Sequence, residues 1–302
     1  MDELVIGVDI GATNIRVGLI GKDLSVIRLE TALTRSFETA DEMFSEIFRM
    51  AERVDPQRNA KKIGIALPVP WNGQTQVIKD ADNIPVLDGI RIEYIQSCFP
   101  GFEVFFDNDV NAAGLLEAEK GAAKGKSYSL YMTVSTGIGM GVYYNGQMIR
   151  GDNGYAGEAG RMIIGQGSEE EGIKEQTLES LCSGRTLDAR SKLIYGESSD
   201  AEYLFEKFKD KEKMAVKVIN DWIEHFSSAV ASIAQLMDPG AFVLGGAVIC
   251  RNPWLMVEVN NKINEKLYAN LRGKMKLAIC EFGAEAGVIG AGYMALNQAK
   301  KL

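Results

Sequence analysis

Histidine is almost absent from this chain, with His225 as the single example among 302 residues. One histidine cannot build a histidine-rich metal site, and it cannot complete a Ser-His-Asp triad by itself. His225 lies beside the apolar stripe of a predicted helix, where we expect a structural or surface role. Any acid–base chemistry in this protein must therefore rest on carboxylates.

Cysteine is scarce as well, and none of the four residues lies within three positions of another. This spacing shows no zinc or redox pair, and isolated cysteines are typical of a reducing compartment, so we expect a cytoplasmic protein. Long apolar runs are missing, because every apolar run in the sequence is shorter than the roughly 18 residues that would indicate a membrane span. The N-terminus enters a strand without a basic region, which predicts that there is no signal peptide.

Basic residues are fewer than acidic residues, which gives a formal net charge of −8 and a pI of about 5.0. This acidic balance argues against a nucleic-acid-binding surface. Hydrophobic residues make up 46% of the chain and charged residues 25%, which is typical of a globular protein. The length is sufficient for two domains of ordinary size.

The spacing of apolar residues and turns predicts an alternation of strands and helices. Strands are predicted at residues 4–9, 15–20, 25–30, 62–67, 101–106, 128–134, 141–144, 147–149, 241–244 and 276–281. Helices are predicted at residues 41–54, 111–121, within 201–236, and at 284–297. Each half of the chain begins with a β-turn-β element built around glycine and threonine, which indicates an internal duplication in pattern.

The first of these elements has the composition of a polyphosphate site. An apolar strand ends at Asp9, turns through Gly11–Asn14 and resumes with Arg16 on the next strand. Small and hydroxylated residues let the backbone N–H groups of such a turn approach a phosphate closely, and a carboxylate at the strand end helps to hold a hydrated Mg²⁺. The alternative is an ordinary hairpin with an Asp-x-Gly turn.

Two further glycine-rich turns follow predicted strands. Ser135–Gly141 alternates glycine with other residues and carries two hydroxyls that can donate to phosphate oxygens. Leu244–Ala247 contains the Gly245-Gly246 pair, which allows a turn to pack flat against an adenine or a ribose. The alternative for each is a plain turn between elements of secondary structure.

Carboxylates and amides cluster at the end of another predicted strand, in the run Asp107–Asn111. Ligands bind at the carboxyl ends of strands in open α/β sheets, so Asp109 could accept a proton from an alcohol there. The side-chain amides of Asn108 and Asn111 could bond sugar hydroxyls. Helix capping by Asp and Asn is the alternative reading of the same residues.

A second polar group lies further along the chain, in Gly157–Arg161 and at Glu179. Polar side chains framed by glycines suit the recognition of hydroxyl groups. The neighbouring acidic run Glu169–Glu171 is predicted to be a solvated loop.

Taken in order, these motifs resemble those of the ROK family, a group of sugar kinases, related repressors and open reading frames in the actin/Hsp70/hexokinase superfamily. The resemblance covers nearly the full chain. It is carried by residues 9–16, 108–113, 135–139, 157–160, 244–246 and 285–291. It implies an α/β protein of two ribonuclease-H-like domains, as in actin-like ATPases, with a cleft between them. We place the small N-terminal domain at 1–118 plus a C-terminal helix at about 288–302, and the larger domain at 119–287.

The resemblance also implies roles for individual residues. Asp109 matches the catalytic base, and ATP and Mg²⁺ are the implied cofactors, with Asp9 holding the metal through water. The matching sugar-binding positions are Asn83, Asn108, Asp109, Glu158, Arg161 and Glu179. The matching nucleotide-binding positions are Asp9, Gly11, Ala12, Thr13, Asn14, Arg16, Thr136, Gly137, Gly245 and Gly246.

The chain departs from the family pattern at two points. Arg161 stands where the family usually has a histidine, and a guanidinium is larger, permanently charged and donor-only. The family's cysteine-rich zinc element is also missing, because residues 162–178 contain no cysteine. We therefore predict that the protein has no structural zinc.

The resemblance and the motifs together predict an ATP-dependent sugar kinase that phosphorylates the C6 hydroxyl of a hexose or N-acylhexosamine. N-acetylmannosamine is the preferred substrate, because the zinc element and histidine of the family's glucokinases are missing, and glucose is the alternative. A sugar-sensing ROK regulator is disfavoured, since the first strand begins by residue 4 and leaves no room for a DNA-binding helix-turn-helix. A homodimer is expected from the family, with no nucleic-acid or membrane partner.

Overall fold

The computed structural model describes residues 3–165 and 176–298, so the acidic run Glu169–Glu171 lies outside the described residues. The strands are β1 Val5–Ile10, β2 Asn14–Ile20, β3 Val26–Leu33, β4 Lys62–Leu67, β5 Glu103–Asn108, β6 Tyr128–Val134, β7 Ile138–Tyr144, β8 Gln147–Ile149, β9 Ala241–Gly245 and β10 Lys276–Ile279. The helices are α1 Ala40–Val54, α2 Ile92–Ser97, α3 Asp109–Glu119, α4 Leu178–Cys182, α5 Gly184–Tyr195, α6 Ala201–Lys209, α7 Lys213–Met237, α8 Ala247–Arg251, α9 Leu255–Lys266 and α10 Ala286–Gln298.

The chain divides into two compact units. As far as its residues are described, unit 1 comprises Met1–Gly121, Gly141–Ala156 and Ala284–Leu302, and unit 2 comprises Ala122–Met140 and Gly157–Gly283. The C-terminal helix belongs to unit 1. Residues 141–156, which the sequence analysis assigned to the second domain, cluster with unit 1 instead.

Unit 1 is built on a five-stranded mixed sheet of order β3-β2-β1-β4-β5. β1, β2 and β3 pair antiparallel, whereas β4 pairs parallel with both β1 and β5. The parallel pairing places the carboxyl ends of β1, β4 and β5 along one edge of the sheet. This edge carries the turn that follows β1 and the junction between β5 and α3.

The two faces of this sheet are distinguished by side-chain size. Ile6, Val8 and Ile10 alternate along β1 and point into the apolar core that also contains Phe44 of α1. On the opposite face, a Cβ on Gly7 would overlap the carbonyl oxygen of Val288, so the backbone of α10 lies directly on the sheet. Helix α10 can approach β1 this closely only because the sequence supplies a glycine there.

The second sheet has the order β10-β9-β6-β7-β8. Strand β9 pairs parallel with both β6 and β10. The predicted hairpin between β7 and β8 is present, since Asn145 and Gly146 adopt φ values of 47° and 86°, as a two-residue turn of this kind requires.

Helices pack against the strands of unit 2, since α8 contacts β6 and β9 and α9 contacts β10. In α7, Trp222 and Phe226 are fully buried and their rings stack with centroids 4.8 Å apart.

No helix in the described part of the chain has the length and apolar character needed to cross a membrane.

Candidate active site

The turn between β1 and β2 lies at the carboxyl edge of the unit 1 sheet, as the sequence predicts. Asp9 pairs in register with Arg16 across the two strands, and Arg16 Nη1 lies 3.5 Å from Asp9 Oδ2. Ala12 and Thr13 are exposed at the tip of the turn. The structure therefore presents a carboxylate, a guanidinium and a hydroxyl at one end of one hairpin.

Hydrogen bonds hold this turn in a single shape. The Gly11 N–H donates to the Asn14 carbonyl oxygen at 2.9 Å, and the Thr34 hydroxyl donates to the Gly11 carbonyl oxygen at 2.6 Å. The Thr34 N–H donates to the Thr13 carbonyl oxygen at 3.0 Å. The end of β3 thus supports the turn, and Thr34 is a supporting residue that the sequence analysis missed.

The carboxylate of Asp9 also contacts the start of α10. A Cβ on Gly287 would overlap the Asp9 carboxylate, so only glycine allows the helix to begin beside this side chain. Burial raises the pKa of the Asp9 carboxyl above its usual value, and the charge and hydrogen bond of Arg16 oppose this shift. A carboxylate in this position can hold a hydrated cation through water, because Mg²⁺ keeps several of its waters and needs only one or two protein carboxylates beside the phosphates.

The junction between β5 and α3 positions Asp109. Asn108 is the N-cap of α3, since its side-chain oxygen accepts from the N–H groups of Val110 at 3.0 Å and Asn111 at 3.2 Å. Its side-chain amide donates to the Val69 carbonyl oxygen at 3.1 Å. Asp109 is half-buried in the first turn, where its Oδ1 accepts from the Val110 N–H at 2.9 Å. Capping is thus the observed use of Asn108, and its sugar-binding role stays a prediction.

A buried ion pair lies directly beside this junction. The Asp107 carboxylate is 1% exposed and accepts from the Arg150 guanidinium, with Nε 3.1 Å from Oδ1 and Nη2 bonded to Oδ2. The Asn108 N–H and the Asn111 side-chain amide also donate to Asp107, at 2.8 and 3.3 Å. Asp107 and Arg150 thus fix the residues on either side of Asp109. The sequence contained no signal for this pair, because its members lie 43 residues apart.

The remaining predicted sugar residue of unit 1 is Asn83. It is exposed in a short turn that is closed by the Ile84 N–H donating to the Ala81 carbonyl oxygen at 2.9 Å. Asp80, which precedes this turn in the chain, accepts a hydrogen bond from the Tyr155 hydroxyl. The part of Asn83 in a site stays a prediction.

In unit 2, the turn between β6 and β7 is joined to Glu179. The Ile138 N–H donates to Glu179 Oε2 at 2.7 Å, and a Cβ on Gly137 would lie 2.6 Å from the same oxygen. The Ser135 N–H donates to the Gly137 carbonyl oxygen at 2.9 Å, while Thr136 is exposed. Gly137 is therefore required by the close approach of a carboxylate to the turn.

Three residues of unit 2 that are predicted to bind sugar lie close enough for their charges to interact. Glu158 is exposed, yet the surrounding protein raises the pKa of its carboxyl. Desolvation is the largest cause, the positive charge of Arg161 opposes it, and the negative charge of Glu179 adds to it. Glu158, Arg161 and Glu179 therefore share one neighbourhood, with acceptors and a permanent donor suited to hydroxyl or amide groups.

The Gly245-Gly246 turn is packed tightly against β6. Gly246 has a φ of 85°, and a Cβ there would overlap the carbonyl oxygen of Val134. A Cβ on Gly245 would meet the Tyr131 hydroxyl. Only glycine fits at both positions, because Gly245 is buried and the backbone before α8 lies directly on β6.

Protein ligands for a metal are sparse. Within residues 3–165 and 176–298, no group of three or more His, Cys, Asp and Glu side chains could hold a metal ion. The role of Asp9 in holding magnesium stays a prediction. Since part of the 162–178 segment lies outside the described residues, the expected lack of structural zinc stays a prediction.

Comparison with known proteins identifies the family. The model of the ROK family matches residues 5–298, almost the entire chain. The chain belongs to the ROK family. Its α/β fold with two domains, and the resemblance drawn from the motifs, are thereby confirmed.

Among curated ROK relatives, the glucokinase of Thermotoga maritima is 23% identical over 95% of both chains. The N-acetyl-D-glucosamine kinase of Histophilus somni is 25% identical over 97% of this chain and 99% of its own. These relatives differ in the sugar that their names record.

Solved ROK structures have the same fold. The ROK hexokinase of Thermus thermophilus superposes with a TM-score of 0.80 and 30% identity, covering 99% of this chain and all of its own. A ROK glucokinase of Streptomyces griseus, solved with glucose and AMPPNP, gives a TM-score of 0.81 at 22% identity, with 97% of this chain and 99% of its own covered.

Proposed function

We propose that this protein is an ATP- and Mg²⁺-dependent sugar kinase that transfers the γ-phosphoryl group to the C6 hydroxyl of a hexose or N-acylhexosamine. The observation that carries the proposal is the position of Asp109. It is a half-buried carboxylate in the first turn of α3, at the carboxyl end of a parallel strand, beside the fixed pair of Asp107 and Arg150. Membership of a family that contains named sugar kinases supports it.

Asp109 acts as the general base. Its carboxylate accepts the proton of the sugar hydroxyl while that oxygen attacks the γ-phosphorus, and the bond from this phosphorus to the β–γ bridging oxygen breaks to release ADP. Because phosphoryl transfer depends on positioning, a base fixed by its neighbours is favoured over a mobile one. Asp107 and Arg150 provide that fixation.

The nucleotide is bound by the glycine-rich turns. The hydroxyls of Thr13 and Thr136 are exposed at the tips of their turns, where they can donate to phosphate oxygens. The Gly245-Gly246 turn takes the adenosine. Asp9 would hold Mg²⁺ through water, and the ion would supply positive charge to offset the negative charge of the phosphates.

The sugar is bound by Asn83, Asn108, Glu158, Arg161 and Glu179. Carboxylates accept from hydroxyls, whereas the Arg161 guanidinium donates only and so suits an acyl carbonyl oxygen or a hydroxyl oxygen. The absence of the family histidine at Arg161 favours an N-acylhexosamine, with N-acetylmannosamine as the preferred substrate and glucose as the alternative. A cytoplasmic homodimer is part of the same proposal, and light scattering would measure its mass.

The test is a coupled assay of ADP release with a panel of sugars. We expect turnover of ATP only when sugar is added, and the highest kcat/KM with N-acetylmannosamine. The matched control is a sugar of the same ring that lacks the C6 hydroxyl, which should support no turnover. ATP turnover that needs no sugar would favour an ATPase of the actin or Hsp70 type. A much higher kcat/KM for glucose would reverse the order of substrates.

A further inference from the structure

Two cysteines that lie far apart in the sequence are neighbours in unit 2. Cys280 directly follows β10, and Cys250 lies in α8, which follows β9. Because β9 and β10 are parallel neighbours, the segments that leave their carboxyl ends lie at the same edge of the sheet. The two Sγ atoms are 3.5 Å apart, across 30 positions of sequence.

The other cysteines have different surroundings. None of the four forms a disulfide. Cys182 is fully buried, and burial raises the pKa of its thiol, which makes it unreactive. Cys98 lies in unit 1, where its thiol donates to the Tyr94 carbonyl oxygen at 3.3 Å. Cys250 is half-buried, so a small oxidant can reach it, whereas its neighbour Cys280 is only 7% exposed.

We propose that Cys250 and Cys280 are an oxidation site that is converted to an intramolecular disulfide by hydrogen peroxide. The Cys250 thiolate attacks a peroxide oxygen, the O–O bond breaks, hydroxide leaves, and a sulfenic acid forms on Cys250. The Cys280 sulfur then attacks Sγ of Cys250, the S–O bond breaks, and water leaves with the Cys280 proton. Two thiols lose two electrons and two protons in total, and one peroxide is reduced to two waters.

The two sulfur atoms already lie close to each other. The sulfur atoms must approach from 3.5 Å to the disulfide bond length of about 2.05 Å. The resulting cross-link joins α8 to the segment after β10. Helix α8 begins immediately after Gly246, whose backbone is already packed against the Val134 carbonyl. The cross-link therefore constrains the backbone next to the Gly245-Gly246 turn.

The effect on activity rests on the proposed function, because that function assigns the adenosine to this turn. An oxidised protein is expected to have a raised KM for ATP, and a dithiol reductant should restore the original value. The formation of the disulfide itself does not depend on any assigned activity.

The first experiment tests whether peroxide forms the disulfide. The full chain is treated with hydrogen peroxide, and thiols are counted after unfolding, followed by mapping of peptides. We expect two of the four thiols to be lost and one linked peptide pair to contain Cys250 and Cys280. Retention of all four thiols, or a link between separate chains, would overturn the proposal.

Two variants test the separate roles of Cys250 and Cys280 in this reaction. Cys280→Ser removes the second sulfur, so the Cys250 sulfenic acid should persist and be labelled by dimedone, whereas the wild-type protein should be labelled far less. Cys250→Ala should lose no pair of thiols to peroxide, so it tests the need for Cys250 even if Cys280→Ser does not fold. The matched control is Cys98→Ser, which should form the disulfide as the wild type does. Equal dimedone labelling of wild type and Cys280→Ser would contradict the proposed second step.

The second experiment measures the KM for ATP before oxidation, after oxidation and after reduction. A disulfide that forms without any change in KM would overturn the regulatory effect. A protein that forms the disulfide but turns over no sugar would contradict the proposed kinase and leave the oxidation site standing. The two failures are therefore distinguishable.

Discussion

Replacement of Arg150 by Met removes the cation that neutralises Asp107, and we expect it to destabilise unit 1. The Asp107 carboxylate is 1% exposed, so the substitution leaves a charge buried without its ionic partner. Breaking a buried ion pair in this way costs about 3–5 kcal/mol. One quarter of the Arg150 side chain is exposed, so water would reach part of the vacated space. We therefore expect the lower end of this range, about 3 kcal/mol.

The measurement is a urea titration at neutral pH followed by tryptophan fluorescence, to which Trp71 of unit 1 contributes. With a denaturant slope of about 3 kcal/mol/M, the midpoint of unfolding should fall by about 1 M. The double variant Asp107→Asn with Arg150→Met is the control. It leaves no charge at positions 107 and 150, so it should recover much of the lost stability.

Two results would refute this reasoning. An unchanged midpoint in Arg150→Met would show that the pair does not stabilise unit 1. A double variant that is no more stable than the single variant would show that the loss comes from packing of the arginine stem, not from the unpaired carboxylate.

Three further predictions follow from contacts in the two units. Gly287→Ala would place a methyl group on the Asp9 carboxylate and should raise the KM for Mg²⁺-ATP, whereas Gly165→Ala, where the nearest atom is 3.6 Å away, should leave it unchanged. Glu158→Gln should raise the thermal midpoint at pH 8 and leave it unchanged at pH 3. Folding raises the pKa of Glu158, so the ionised carboxylate destabilises the folded state. This destabilisation is absent at low pH and increases as pH rises. Asn108→Ala removes the cap of α3 and should cost about 1 kcal/mol in denaturant unfolding, and a loss near zero would contradict the capping role.

Much of the fold could be predicted from the sequence because its signals are local. Strand β4 and the β7–β8 turn were predicted at their observed bounds, since proline and Asn-Gly mark them clearly. Helix α9 was missed, although Leu255, Val259 and Ile263 are buried at a spacing of four residues. Leu236 follows Ile233 at helical spacing but is 83% exposed, because it lies in the last turn before Asp238 ends α7.

The candidate site was predictable only in part. The Asp9 turn and the Gly245-Gly246 turn stand out in the sequence because small residues are needed where a backbone is approached closely. The helix after β5 begins at Asp109, two residues earlier than predicted, since the cap is Asn108. The Asp107–Arg150 pair and the Cys250–Cys280 pair depend on which strands lie side by side, and residue spacing does not contain that information.

The central claim is that Asp109 removes the proton from the sugar hydroxyl. Its most direct test is the transfer of labelled phosphate from the γ position of ATP to the preferred sugar by Asp109→Asn, with Asp210→Asn as a matched exposed control. We predict that kcat falls by about 10²–10⁴-fold in Asp109→Asn, with the KM for ATP nearly unchanged and the control equal to wild type. Wild-type turnover in Asp109→Asn would contradict the account.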